Sequence, residues 1–161
     1  MIIDNNFLSK DECSYYVNKA NKNVEPYDWD KRVVFIHDDT SLISKTINYF
    51  KQYNLFLKLD DIHIQTWPVN SSSDLHIHGD KCDWDDGRKN TKYNTLIYLN
   101  DDYDGGEFYT NNVTLKPKKG TITLFDGTET YHGVKPVKKK ERYTIILWWK
   151  KWKHKLKYLV E

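Results

Sequence analysis

His78 and Asp80 stand two residues apart in segment 75–80, and His132 follows much later in the chain. On a strand, residues two apart point to the same side, so this segment is expected to present an imidazole beside a carboxylate. One more imidazole from His132 completes a face of two histidines and one carboxylate on a metal. Such a face leaves coordination positions open and suits iron(II) chemistry with dioxygen and a chelating co-reactant. Alone, a His-x-Asp pair is most often a solvated loop feature. Arg142, a short turn beyond His132, gives it weight. In the run 142–149, Arg142 shares a face with Thr144, Ile146 and Trp148, while Tyr143, Ile145 and Leu147 form the other. Both faces are largely apolar. An interior guanidinium there needs an anionic partner, and its fork matches a carboxylate. Taken singly, Arg142 also reads as a surface residue at a strand start.

The elements that must position these groups divide at about residue 59. Ser9 precedes Lys10, Asp11 and Glu12, a capping-box spacing that predicts a helix running towards Ala20. Residues 33–36 read as a short strand. Leu42, Ile43, Ile47 and Phe50 give the stripe of a second helix over 41–53. Beyond Leu59 the period changes to two: Ile62, Ile64 and Thr66 alternate with His63, Gln65 and Trp67. Further strands are predicted at 75–80, 93–100, 107–110, 113–116, 121–125, 131–137 and 142–149. Asp104-Gly105-Gly106 and Lys118-Lys119-Gly120 are among the turns between them. Many short strands with polar turns predict a sandwich or jelly roll. The stretches 70–73 and 81–90 read as loops.

At 161 residues the chain is read as one domain able to bury its own core. A net charge of +2 gives no general argument for nucleic acid or membrane binding, and 6 Trp with 12 Tyr suit a sheet-rich fold. Cys13 and Cys82 suggest neither a disulfide framework nor a zinc site, and read as free thiols. The opening residues lack the features of a signal peptide, and no apolar stretch reaches membrane-spanning length. A cytoplasmic location is the expectation.

Four pieces in order carry a family resemblance: HIHGD, YNTLIYLNDDYDGGEFYT, LKPKKGTITLFDG and YHGVKPVKKKERYTIILWW. The run 62–149 that contains them resembles the prolyl 4-hydroxylase-like branch of the 2-oxoglutarate/Fe(II)-dependent oxygenases. The resemblance implies a mainly β double-stranded β-helix (a cupin-like jelly roll) flanked by N-terminal helices. On this reading residues 1–59 are a helical buttress, 60–149 the β core and 150–161 a basic extension. It implies His78, Asp80 and His132 as iron ligands, Arg142 as the partner of the distal carboxylate of 2-oxoglutarate, and Tyr98 as its assistant. Fe(II) and 2-oxoglutarate are the implied cofactors, with ascorbate a candidate reductant. The implied reaction hydroxylates a substrate C–H bond, releasing succinate and CO2, and the favoured substrate is a prolyl residue of a peptide or protein. Many members of the branch carry Lys where Arg142 stands, so that residue does not decide the substrate. The short chain favours a peptide or exposed loop over a large enclosed ligand, and Trp67 or Trp84 would suit a proline ring.

Other readings of the same residues stay open. His76, His78 and Asp80 are expected on one strand face, and His76-Ile77-His78 could begin a cupin metal site completed by His132. Against this, no Glu follows until Glu107. His76 otherwise reads as a residue near the metal or the channel, or as solvated. A non-catalytic jelly roll, serving binding or structure, is a third reading. Trp148, Trp149 and Trp152 with Lys150, Lys151, Lys153 and Lys155 could meet nucleic acid, but packed aromatics with solvated lysines are favoured. Asp83, Asp85 and Asp86 lack the spacing of a calcium loop. Oligomeric state is not legible.

Overall fold

The computed structural model describes residues 1–22, 31–79 and 90–150. Helix α1 (Lys10–Lys22) starts with the expected capping box: the Ser9 N–H donates to Glu12 Oε2 at 2.7 Å, and the Glu12 N–H to Ser9 Oγ at 3.2 Å. Helix α2 (Thr40–Lys51) is capped by Asp39, whose carboxylate accepts from the Leu42 N–H at 3.0 Å and from the Tyr16 hydroxyl at 2.8 Å. One side chain thus caps α2 and ties it to α1.

Six strands form the main sheet. They are β1 (Ile2–Asp4), β2 (Arg32–Phe35), β3 (Lys58–Trp67), β5 (Thr91–Tyr98), β9 (Ile122–Asp126) and β12 (Arg142–Lys150), in the order β1-β9-β5-β12-β3-β2 with antiparallel neighbours. A second antiparallel sheet runs β4-β10-β7-β8, from β4 (Ser73–His76), β10 (His132–Val134), β7 (Phe108–Thr110) and β8 (Thr114–Leu115). Strands β6 (Asp104–Gly105) and β11 (Val137–Lys138) make a small ladder of their own.

Strand alternation separates two cores. One face of the main sheet (Ile62, Ile64, Ile97, Tyr143, Ile145, Leu147) packs on Cys13, Tyr16, Leu42 and Phe50 of the helices. The opposite face (Leu96, Tyr98, Phe125, Ile146, Trp148) meets Phe108 and Leu115 of the smaller sheet. This is the double-stranded β-helix with N-terminal helices on one side. The division of β12 is the expected one. Trp149, fully buried on the helical side, donates its indole N–H to Thr95 Oγ1 at 2.9 Å.

Three expected boundaries move. Strand β1, absent from the sequence reading, pairs with β9 and so puts part of the presumed buttress into the main sheet. The expected strand 131–137 divides into β10 and β11. Pro136 lacks an N–H to continue a ladder, and its carbonyl accepts from the Gly106 N–H at 3.1 Å. The expected strand 75–80 is β4, which ends at His76, because the His78 N–H leaves the sheet to donate to the Gly127 carbonyl at 2.8 Å. His76 and His78 therefore do not share a strand face.

Candidate functional site

A cavity of about 670 Å³ lies between the two sheets. His76, His78 and His132 enter it from the smaller sheet's side, and Gln65, Trp67, Asn94, Arg142, Thr144 and Trp148 from the main sheet. Local geometry aims the imidazoles. His132 pairs with His76 across the β10–β4 ladder. In each of these two residues Nδ1 lies 2.8 Å from the carbonyl two residues earlier, Thr130 for His132 and Asp74 for His76. A carbonyl only accepts, so Nδ1 carries the proton and Nε2 keeps its lone pair, the tautomer that a metal-binding histidine adopts. His78 Nε2 lies 3.2 Å from His132 Nε2, a gap that either one N–H or a shared cation can bridge. One donor atom from each of the three histidines lies within 4.8 Å of the others.

Aromatic rings wall this group off. Phe125 meets His132 edge-on at 4.6 Å, Phe108 stacks on it at 5.8 Å, and Trp148 meets His78 edge-on at 4.5 Å. Burial, then the neighbouring His76 and His78, pushes the His132 pKa down to about 3, so its ring is neutral at ordinary pH. Neutral imidazole is the form that binds metal.

At the start of β12, Arg142 is 1% exposed. Its guanidinium lies 5.1 Å from the Tyr98 ring centroid and 5.3 Å from that of Trp67. Among the described residues no carboxylate pairs with it, and Arg142 Nε and the hydroxyls of Tyr98 and Tyr103 have no hydrogen-bond partner of acceptable geometry. Burial raises the pKa of Tyr98 to about 12 and also raises that of Tyr103, while the Arg142 charge pulls both down. Both phenols therefore stay protonated and can donate. A buried cation with neutral phenols but no carboxylate beside it among the described residues calls for an anion. Gly106, at φ +63°, closes the back of this pocket: a Cβ there would lie 2.9 Å from Tyr103 Cε2 and 3.2 Å from Arg142 Cδ.

Of the residues singled out in the sequence, His78, His132 and Arg142 line one cavity, and Tyr98 lies behind it against Arg142. Trp67 also lines the cavity. Asp80 lies outside the described residues, as do Cys82, Asp83, Trp84, Asp85 and Asp86, and Lys151, Trp152, Lys153 and Lys155 at the far end. The sequence reading missed Asn94, Gly127, Tyr103 and the Phe108–Phe125 wall. Asn94 was within reach, since it shares a β5 face with Leu96 and Tyr98. It is 2% exposed, and its Oδ1 has no partner among the described residues. Gly127 holds His78 through its carbonyl, and a Cβ on it would fall 1.9 Å from Asn94 Oδ1.

The donor chemistry fits a first-row metal ion at the imidazoles and a carboxylate at Arg142, both within a single cavity. Known proteins point the same way. Prolyl 3-hydroxylase 2 of Mus musculus is 42% identical over 64 residues, a match taking in 35% of this chain and 9% of that protein, so the chain spans only a small part of its curated relative. The viral collagen prolyl hydroxylase of Paramecium bursaria chlorella virus-1, solved as its 2OG complex, superposes with a TM-score of 0.76 at 22% identity, over 94% of this chain and 96% of that one. A Trichoplax adhaerens prolyl hydroxylase, solved with a hypoxia inducible factor oxygen degradation domain peptide fragment, gives 0.70 at 20% identity, over 92% and 82%. At these identities the two structures speak to the fold. The 2OG-Fe(II) oxygenase superfamily model matches residues 62–150, which take in all of the smaller sheet, the main sheet apart from β1, β2 and the start of β3, and every described group of the cavity except Lys31. That match takes in more than half of the chain, and the protein belongs to the 2OG-Fe(II) oxygenase superfamily, whose members take Fe(II) and 2-oxoglutarate.

Proposed function

We propose that this chain hydroxylates a C–H bond of a prolyl residue in a peptide or protein, with release of succinate and CO2. On this reading His78, Asp80 and His132 hold Fe(II), and Arg142, helped by Tyr98, holds the distal carboxylate of 2-oxoglutarate. The observation that carries it is Arg142: a buried guanidinium with no carboxylate among the described residues beside it, on the wall of the same cavity as the imidazoles. A structural arginine would have found a carboxylate or the surface.

Bound iron supplies the activation of dioxygen, driven by oxidative decarboxylation of the cosubstrate. The chain supplies the setting. Thr130 fixes the His132 tautomer, and burial keeps that ring neutral. Gly127 anchors the His78 backbone. Arg142 orients the cosubstrate through charge and the Tyr98 hydroxyl adds a donor, while Phe108, Phe125 and Trp148 keep water from the imidazoles. Support for a prolyl substrate comes from the prolyl hydroxylases among the relatives and from Trp67 and Trp148 in the cavity wall, flat surfaces suited to a proline ring.

The test is succinate release from 2-oxoglutarate with Fe(II), with and without ascorbate, against libraries of proline-containing peptides, with nucleic acids as a separate arm. The expected result is peptide-dependent succinate and a peptide mass gain of one oxygen atom on proline. Turnover only with another substrate class would overturn the prolyl assignment and leave the oxygenase standing. A cupin-type centre held by His76, His78 and His132 alone draws on the same cluster, but it gives Arg142 no task. Iron lost in His76→Ala and kept in Asp80→Ala would favour it.

A further inference from the structure

Arg142 is the first residue of β12, and the end of a strand is where pairing frays. On one side β12 lies against β3, where Arg142 is the register partner of Trp67. On the other it lies against β5, which ends at Tyr98, the register partner of Thr144. The Leu99 N–H still reaches the Tyr143 carbonyl at 3.0 Å. Past that bond a side chain takes over from the backbone.

That side chain is Asn100. Its Nδ2 donates to the Glu141 carbonyl at 2.8 Å, and its Oδ1 accepts from the Tyr143 N–H at 2.9 Å. These two groups belong to the peptide units just before and just after Arg142. A carboxamide offers the same kinds of donor and acceptor as a peptide group, so Asn100 extends the ladder beyond β5 and brackets the Arg142 backbone. Asn100 is itself held: Nδ2 also donates to Asp102 Oδ1 at 2.9 Å, and Asp102 Oδ2 accepts from Lys140 Nζ at 2.7 Å. The neighbouring Glu141 carboxylate is engaged elsewhere, each oxygen 2.7 Å from Arg32 Nη2.

We propose that Asn100 is a positioning residue for the cosubstrate: by bracketing Arg142 it aims the guanidinium, and so sets the affinity for the distal carboxylate of 2-oxoglutarate. The proposal rests on the anchoring role given to Arg142 above. A guanidinium on a long stem carries any backbone displacement to its fork, and paired hydrogen bonds to a carboxylate tolerate little misalignment. The same bracket ties the end of β5, which bears Tyr98, to the start of β12, which bears Arg142. The two groups assigned to one carboxylate, 5.1 Å apart from guanidinium to ring centroid, are thereby held in one register.

The test is a double-mutant cycle on 2-oxoglutarate affinity, measured by titration calorimetry on the nickel(II)-loaded protein. Asn100→Ala is made in wild type and in Arg142→Met, and Asn100→Ser carries the same cycle if the alanine variant does not fold. Thermal unfolding of each metal-free protein confirms the fold. In the wild-type background the expected loss of 2-oxoglutarate affinity is about tenfold or more. In the Arg142→Met background the loss is less than about twofold, because the group that Asn100 aims is gone, and nickel affinity stays within about twofold in every variant. Equal losses in the two backgrounds would mean a general loosening of the fold and would overturn the proposal. So would unchanged 2-oxoglutarate affinity in a folded Asn100 variant. Wild-type affinity in Arg142→Met alone would sink the anchoring reading itself, and the role of Asn100 with it.

Discussion

Replacing Arg142 with methionine separates a cosubstrate anchor from a residue that only supports the fold. The guanidinium is 1% exposed and no carboxylate among the described residues pairs with it, so the metal-free protein carries an uncompensated buried cation. An apolar side chain of similar length should leave the stability of that state unchanged or raise it. With the metal site filled by nickel(II) and 2-oxoglutarate at a hundred times its dissociation constant, binding should add about 2.7 kcal/mol to wild-type stability. Loss of one buried charged partner costs on the order of 2–5 kcal/mol, and a loss of about 2.7 kcal/mol, within that range, lowers affinity about a hundredfold. The same concentration then equals about one dissociation constant and adds only about 0.4 kcal/mol. In a chain of this size the missing 2.3 kcal/mol or so corresponds to about 5–9 °C of melting temperature. Differential scanning calorimetry with and without 2-oxoglutarate measures both numbers. A variant that keeps the full wild-type shift would refute the anchoring role. So would one that loses metal-free stability while its 2-oxoglutarate response stays intact.

Other outcomes follow from the same geometry. Gly127→Ala places a methyl group 1.9 Å from Asn94 Oδ1 and 3.4 Å from His78 Cδ2. It should cost about 1–3 kcal/mol of stability and weaken metal binding, measured by chemical denaturation and by chelator competition. Thr95→Val leaves the buried Trp149 indole N–H without its acceptor and should cost about 1–3 kcal/mol while cobalt affinity stays near wild type, because the pair lies on the helical face of the sheet. The pH dependence has a definite sign. In the folded, metal-free protein His132 is pushed down to about 3 from 6.5, so between those values the unfolded chain binds more protons. Its contribution to stability is therefore complete above about pH 6.5 and is lost as pH falls towards 3. Urea unfolding of metal-free protein across that range should show the decline, with a shallower slope in His132→Leu.

Much of this was legible in local pattern, and what was hidden depended on contacts distant in sequence. The alternation along β12 was enough to place Arg142, Thr144, Ile146 and Trp148 on the cavity side and Tyr143, Ile145 and Leu147 on the helical side, because a side-chain period of two leaves no other choice. The capping box at Ser9 and Glu12 likewise acts within one turn. Nothing local shows that β4 stops at His76: the bond that ends it reaches across to Gly127, beyond β9. For the same reason the sequence suggested that His76 and His78 share a strand face, when they meet because the chain turns between them. Strand β1 is three residues long and exists only by pairing with β9. Asn94 drew no notice because its neighbours in the fold, His78 and Gly127, come from other segments. Trp148 and Trp149 illustrate the limit of composition. Adjacent in a basic, aromatic stretch, one lines the cavity and the other is sealed against Thr95 on the opposite face.

The central claim is that a single cavity holds Fe(II) at His78 and His132 and 2-oxoglutarate at Arg142. The most direct test is anaerobic titration of the Fe(II)-loaded protein with 2-oxoglutarate, followed by visible absorption. A weak charge-transfer band that grows with 2-oxoglutarate, saturates at one equivalent per chain, and is lost in His132→Ala is the predicted result, with Arg142→Met needing about a hundredfold more cosubstrate to reach it. A folded protein that retains iron but develops no band at any 2-oxoglutarate concentration would contradict the claim.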